Sequence, residues 1–350
     1  MWRRVFLLAG AALLIGLVMR LGVGQITLTI AAVGWRFFVI LGLFLGHQMA
    51  RAAALGQTVP AEARPRFSDL VAVRLSGEAV DYTVFTGPLL AEPVKGWLLT
   101  RGGVSIRDAY GGVVADYLVY SFLSAMLAIV GLSALAARVP PGSAIRVVAF
   151  SVIGVLAGFL IVAVTAIALR VYLIGGVVRW TSRLPFVGRC VTLDATSVRD
   201  FEDRLLALLR EQPSRLAAIT GLETLAHAFQ IAEVYVVLNA LGLMYAPSDP
   251  FIIEGGVKFT PVAFFFIPGA LGAAEGTYVA LFTALGLGAA AGFSLGFIRR
   301  VRALVIAGVG LLALARLSGE REPGFATKIR SVRDGSAWGQ RGSRGPRFKQ

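Results

Sequence analysis

The sequence predicts an all-α protein, a polytopic bundle of about seven to eight transmembrane helices with broken or re-entrant segments. Three observations carry this. Of 350 residues, 57% are hydrophobic and only 15% charged, against roughly a quarter charged in soluble domains. Mean hydropathy is +0.75. Apolar runs long enough, or nearly so, to cross a hydrocarbon core of about 30 Å recur from one end of the chain to the other.

The candidate spans are 5–19, 23–49, 110–137, 144–174, 215–246, 257–268, 276–298 and 303–317. The first follows Met1-Trp2-Arg3-Arg4 and lacks a small-residue cleavage site, so it reads as an uncleaved span with a cytoplasmic N-terminus. Residues 69–101 are moderately apolar but carry Gly77, Gly87, Pro88, Pro93 and Gly96 among Glu78, Asp81, Glu92 and Lys95. A broken or re-entrant helix fits that mixture. Ser197 with Asp200, followed by Phe201, Leu205, Leu208 and Leu209 on one face, suggests an amphipathic helix within a cytoplasmic segment at about 179–215. Residues 1–317 therefore form the membrane domain, and 318–350, with eight Lys or Arg against three Asp or Glu, a basic disordered tail.

The net charge of +14 lies in the short segments between apolar runs, a pattern of membrane orientation and not of nucleic-acid binding. If 69–101 returns to its side of entry, the basic residues at the start, at 50–76 and at 179–215 share one side, which should be the cytoplasm of a bacterial-type inner membrane. Reading Arg299, Arg300 and Arg302 as a loop between two spans leaves the tail in conflict. If 257–268 is re-entrant the basic tail falls outside, and if it crosses, the three arginines do.

One cysteine, Cys190, and two isolated histidines, His47 and His227, give neither a disulfide framework nor a metal-ligand spacing. No phosphate-cradling loop, dinucleotide fingerprint or nucleophile elbow is present, so no nucleotide or other cofactor is expected. The chain reads as a non-enzyme more readily than as an enzyme.

Ionisable groups at membrane depth are costly and mark functional positions. Glu92 and Lys95 sit three residues apart behind Pro88, spaced to neutralise each other. Pro268-Gly269-x-x-Gly272-x-x-Glu275 places a carboxylate at the start of a half-helix, where the dipole favours it. Glu223, His227, Gln230 and Glu233 share one helical face in an apolar span, with Asn239 nearby. Arg36 after Trp35, and Asp116 before Tyr117, suggest a buried pair between two helices. Each constellation also has a structural reading: a surface ion pair, a helix cap, interhelical hydrogen bonding or a packing pair. Gly42/Gly46, Gly154/Gly158 and Gly292/Gly296 permit close helix approach.

These residues resemble the flippase-like membrane family that includes the transmembrane part of MprF-type lysylphosphatidylglycerol synthases and HpnL-type hopanoid-associated proteins. The likeness rests on Trp35-Arg36, on Gly77 to Leu99 with Pro88 and Glu92, on Asp116, and on Pro268-Gly269-x-x-Gly272-x-x-Glu275 leading to Gly286 and Arg299. Ala91 stands where the family usually has Gly, and Lys95 takes the basic role after the Glu. The resemblance implies movement of a polar-headed membrane lipid, phospholipid, polyprenyl-linked or hopanoid, with lipid-synthesis enzymes as possible partners. The alternatives are an intramembrane enzyme using Glu223, His227 or Glu233 as base, and a non-catalytic partner of a lipid-synthesis complex. The two Pro/Gly-then-Glu segments, one in each half, further suggest an inverted repeat.

Overall fold

The computed structural model describes residues 24, 33–83, 88–169, 212–264 and 272–318, and all its regular structure there is helical. In chain order the helices are α1 (Arg36–Thr58), α2 (Phe67–Thr83), α3 (Pro88–Arg101), α4 (Ile106–Arg138), α5 (Ala144–Ala168), α6 (Pro213–Ala240), α7 (Asp249–Val257), the single turn α8 (Thr260–Ala263), α9 (Ala273–Ala284) and α10 (Ala289–Leu317). The expected first span, the amphipathic segment and the basic tail lie outside the described residues.

Local chemistry sets the helix ends. Ser105 caps α4 by accepting the Asp108 N–H at 3.1 Å, and Pro213 opens α6 where its missing N–H costs nothing. Gly103, at φ +93°, turns the chain between α3 and α4 in a conformation closed to most side chains.

Among the described residues, three helices, α1, α4 and α5, are long and apolar enough to span a membrane by length and composition alone. Helix α5 packs along α4 and turns Val147, Phe150, Val155, Phe159 and Ile161 outward, as lipid contact requires. Helices α6 and α10 are as long, at 28 and 29 residues, but carry charges in mid-length. The segment 67–101 is two short helices, α2 and α3, which agrees with a broken helix. Helices α7 and α9 form a second short pair, the first ending where a span at 257–268 was expected to begin.

The largest departure concerns 276–317. In place of spans at 276–298 and 303–317, α9 stops at Ala284 and α10 runs unbroken from Ala289 to Leu317. Arg299, Arg300 and Arg302 are therefore mid-helix residues and mark no loop. They are tolerated there because carboxylates from three other helices meet them.

Two halves emerge from the packing. Each has a long helix, a short-helix pair and a second long helix: α1, α2–α3 and α4, then α6, α7–α9 and α10. Helices α1 and α6 meet antiparallel, with Gly46 against Phe229, His47 bonded to the Ala226 carbonyl at 3.0 Å and Arg51 beside Glu223. Each short pair crosses the other half's last helix, α2 on α10 and α7 on α4. Glycine allows both crossings: a Cβ on Gly310 would lie 2.1 Å from the Leu75 carbonyl oxygen, and one on Gly255 would lie 2.5 Å from that of Leu127. Exchanging the halves reproduces these principal contacts, and the antiparallel α1–α6 seam is the relation an inverted repeat requires.

Candidate functional site

Two apolar clusters sit at opposite ends of α1. One gathers Phe37 and Ile40 with Val234, Leu238, Ile253, Phe282 and Ile298; the other gathers Leu55 with Leu70, Val73, Leu98 and Val113. Between them, α1 carries His47, Gln48 and Arg51, all buried. Helix α4 supplies Asp116, Tyr120 and Ser124 at the same level, α6 supplies Glu223, His227 and Glu233, and α10 supplies Arg299, Arg300 and Arg302. The result is a charged layer enclosed by apolar packing above and below.

In the first half, Asp116 Oδ2 lies 3.2 Å from Arg74 Nη1 and 3.7 Å from Arg51 Nη2. Arg51 Nε also stands 3.2 Å from Glu223 Oε2 on α6. Lys95 Nζ pairs with Glu92 Oε1 at 2.5 Å within α3, and the Lys95 stem covers Gly77, where a Cβ would come within 2.7 Å of it. The expected i, i+3 neutralisation of Glu92 by Lys95 is thus formed. The expected Arg36–Asp116 pair is not: Arg36 is exposed at the head of α1, 6.0 Å from the Trp35 ring. Arg51 and Arg74 take the Asp116 carboxylate because they reach it from inside the bundle.

In the second half, Arg299 Nη2 holds Glu254 Oε2 at 2.6 Å, and Arg299 Nε lies 3.4 Å from Glu233 Oε1. Lys258 pairs with Glu254 at 2.8 Å and donates to Gln230, while Arg302 pairs with Glu233. Glu275 stands at the start of α9 as its motif predicts. One oxygen accepts the Gly272 N–H at 2.8 Å and the other is held by Arg300 at 2.6 Å. Gly272 itself adopts φ +81°, so glycine is needed at the turn into this half-helix. Pro268 and Gly269 lie outside the described residues, as does the Pro88 side chain.

Tyr120 joins the two sets. Its ring centroid is 3.5 Å from the Arg51 guanidinium carbon, 5.7 Å from Lys258 Nζ and 4.8 Å from the stacked His227 ring. Three of the four residues of the α6 stripe, Glu223, His227 and Glu233, are buried, and Gln230 accepts from Lys258. Asn239 faces outward, bonded to Tyr235 and Tyr245. No group of three or more His, Cys, Asp or Glu among the described residues is placed to hold a metal ion.

Sequence reading missed Arg51, Arg74, Tyr120, Lys258, Arg299, Arg300 and Arg302 as members of this layer. One signal was available. Glu92 and Asp116 are 24 positions apart, as are Glu275 and Arg299, so the same spacing recurs 183 residues later. Arg51 and Glu233 follow at nearly the same offset. Glu92 and Glu275 carry the same sign, whereas Asp116 answers Arg299 and Arg51 answers Glu233 with opposite signs.

A scan of family models matches residues 4–310 to the lysylphosphatidylglycerol synthase transmembrane region. The chain belongs to that family. The match takes in both short-helix pairs and the whole charged layer, and it also covers the expected first span. It identifies a membrane protein of a family tied to lipid-modifying systems. A search of curated proteins finds no match.

Proposed function

We propose that this chain moves a polar-headed membrane lipid between leaflets without an ATPase of its own. The single observation that carries the reading is the charged layer. A bundle that only needed to pack would not place this many ionised groups between two apolar clusters, given their desolvation cost. A path for a head group needs polar partners at mid-depth and apolar surface beside it for the acyl chains. Glu92, Lys95, Asp116, Glu223, His227, Glu233 and Glu275 line that path, with Arg51, Arg74, Lys258, Arg299, Arg300 and Arg302 as their counter-charges. Arg36, at the head of α1, would meet the head group at the non-cytoplasmic mouth of the path.

The topology that goes with this function has both short pairs re-entrant. Helix α10 is then one crossing, and the basic tail returns to the cytoplasm beside the N-terminus and the 179–215 segment. The α2–α3 pair enters from the cytoplasmic face and the α7–α9 pair from the opposite face. The conflict over the tail disappears because Arg299, Arg300 and Arg302 no longer count as loop charges. A bacterial inner membrane fits this distribution.

The test is to delete the gene in its host and compare total lipid composition with the leaflet distribution of each class. One lipid redistributed at unchanged total amount supports transport and names the cargo among phospholipid, polyprenyl-linked and hopanoid species. Loss of a species, or accumulation of its precursor in the total extract, refutes transport in favour of an intramembrane enzyme or a partner of a lipid-synthesis complex.

A further inference from the structure

Asp116 on α4 and Glu223 on α6 bring two carboxylates to one guanidinium across the seam between the halves. Arg51 Nη2 stands 3.7 Å from Asp116 Oδ2, and Arg51 Nε 3.2 Å from Glu223 Oε2. Arg74 Nη1 holds the same Asp116 oxygen at 3.2 Å. The two carboxyl groups also lie within hydrogen-bond reach of each other, and both are buried. At that range, shut off from water, two carboxylates can hold one proton between them.

Beyond this quartet the nearby charges are matched. Lys95 is paired with Glu92, Lys258 with Glu254 and Arg302 with Glu233. Asp81 of α2 interacts with Glu78 and Lys95, and α5 carries one charged side chain, Arg146, near its start. Tyr120 turns its ring face to Arg51 and Lys258, and Tyr117 interacts with Glu92 and Ser121. His47 and His227 both neighbour Arg51 and Lys258, so an imidazolium there would add a third cation. A proton entering the layer therefore settles where two anions face each other.

The quartet of Arg51, Arg74, Asp116 and Glu223 has two cations and two anions, so it is neutral when empty. One shared proton leaves it with a single positive charge, and a singly charged lipid phosphate restores neutrality. Either ligand alone would leave a net charge between the two apolar clusters, which is costly. Donors for the phosphate are in place. Among the described residues Arg51 Nη2 and Arg74 Nε make no hydrogen bond, and Gln48, fully buried three positions before Arg51 on α1, has both amide atoms unbonded.

We propose that Asp116 and Glu223 jointly bind one proton, and that it crosses together with the phosphate of a lipid head group held by Arg51, Arg74 and Gln48. This deepens the transport reading and rests on it. The proton adds to a carboxylate oxygen on the acidic side and leaves as the free ion on the other, so no further reactant is needed. Because the loaded quartet is neutral, the pH gradient drives the lipid and the membrane potential does not. Where the outside is the more acidic, lipid moves from the outer to the inner leaflet.

The experiment places the full chain in phosphatidylethanolamine vesicles carrying a trace of tail-labelled phosphatidylglycerol or, separately, a labelled polyprenyl phosphate, and reads the probe in each leaflet under an imposed pH gradient. One proton per lipid shifts the leaflet ratio by up to about tenfold per pH unit toward the more alkaline face, whichever way the protein is inserted. Gradient-driven movement of either probe supports the inference, and the probe that moves names the source of the phosphate. Labelled phosphatidylethanolamine should ignore the gradient, and a potassium diffusion potential alone should leave phosphatidylglycerol evenly distributed. Glu223→Gln fixes the quartet in its proton-bound charge and should erase the dependence on the gradient; Asp116→Asn serves if that variant does not fold. Accumulation driven by potential alone, accumulation of phosphatidylethanolamine, a phosphate probe that equilibrates regardless of the gradient, or wild-type gradient dependence in either variant overturns the inference. So does a failure of both phosphate probes to move. The transport reading falls with it only if deleting the gene in the host also leaves the leaflet distribution of every lipid unchanged.

Discussion

Arg299 reaches Glu233 on α6 and Glu254 on α7 at once, at 3.4 and 2.6 Å, so a single side chain of α10 ties three helices together. Removing it would leave Glu254 to Lys258 and Glu233 to Arg302 and would untie α10 from α7. Because each carboxylate keeps one base, Arg299→Gln is expected to cost about 1–3 kcal/mol. Thermal unfolding in detergent should show a large drop in midpoint, or the protein should fail to accumulate. A variant with wild-type midpoint would mean that Lys258 and Arg302 alone satisfy the two carboxylates.

Glu275→Gln separates function from folding. A glutamine oxygen still accepts the Gly272 N–H and so keeps the start of α9, but the charge that holds Arg300 is gone. Lipid redistribution by the variant should fall to background while expression and unfolding midpoint stay near wild type. Full redistribution would remove Glu275 from the path.

Tyr120 offers a test of the link between the halves. Tyr120→Phe keeps the aromatic face that Arg51 and Lys258 approach and should be close to wild type, whereas Tyr120→Leu should lose about 0.5–2 kcal/mol. Paired unfolding measurements decide it. Equal losses in both variants would locate the contribution in the hydroxyl and not in the ring.

Glycine substitutions should divide by position. Gly310→Ala puts a methyl onto the Leu75 backbone, where nothing flexible can give way, and should cost about 1–3 kcal/mol. Gly158→Ala, with nothing within 4 Å, should be neutral or stabilising by up to about 1 kcal/mol through helix propensity. A neutral Gly310→Ala would mean that α2 and α10 do not cross at that point.

Wherever a charge and its partner are near neighbours, the site was legible in the sequence. Glu92 with Lys95, Glu275 with its preceding glycine turn and the buried Glu223/His227/Glu233 face of α6 all follow from spacing within one helix. What could not be read were partners brought in from elsewhere. Asp116 selects Arg74 and Arg51 over Arg36, a choice that depends on α2 lying inside the bundle. Arg299, Arg300 and Arg302 look like a loop because an arginine in a hydrophobic stretch is normally excluded from the bilayer. Only knowledge of Glu233, Glu254 and Glu275 across the interface makes them helical. The glycine pairs were uninformative for a similar reason: Gly46, Gly292 and Gly296 are close-packed, while Gly42, Gly154 and Gly158 face open space.

Where α2 meets α10 at Gly310, and α7 meets α4 at Gly255, main chain rests on main chain, with only the Ala79 methyl beside the first crossing. Interlocked side chains resist sliding because each knob must leave its hole before the helices can shift. A bare crossing has no such teeth. These two points therefore resist a change of crossing angle less than the side-chain packing on either side of them.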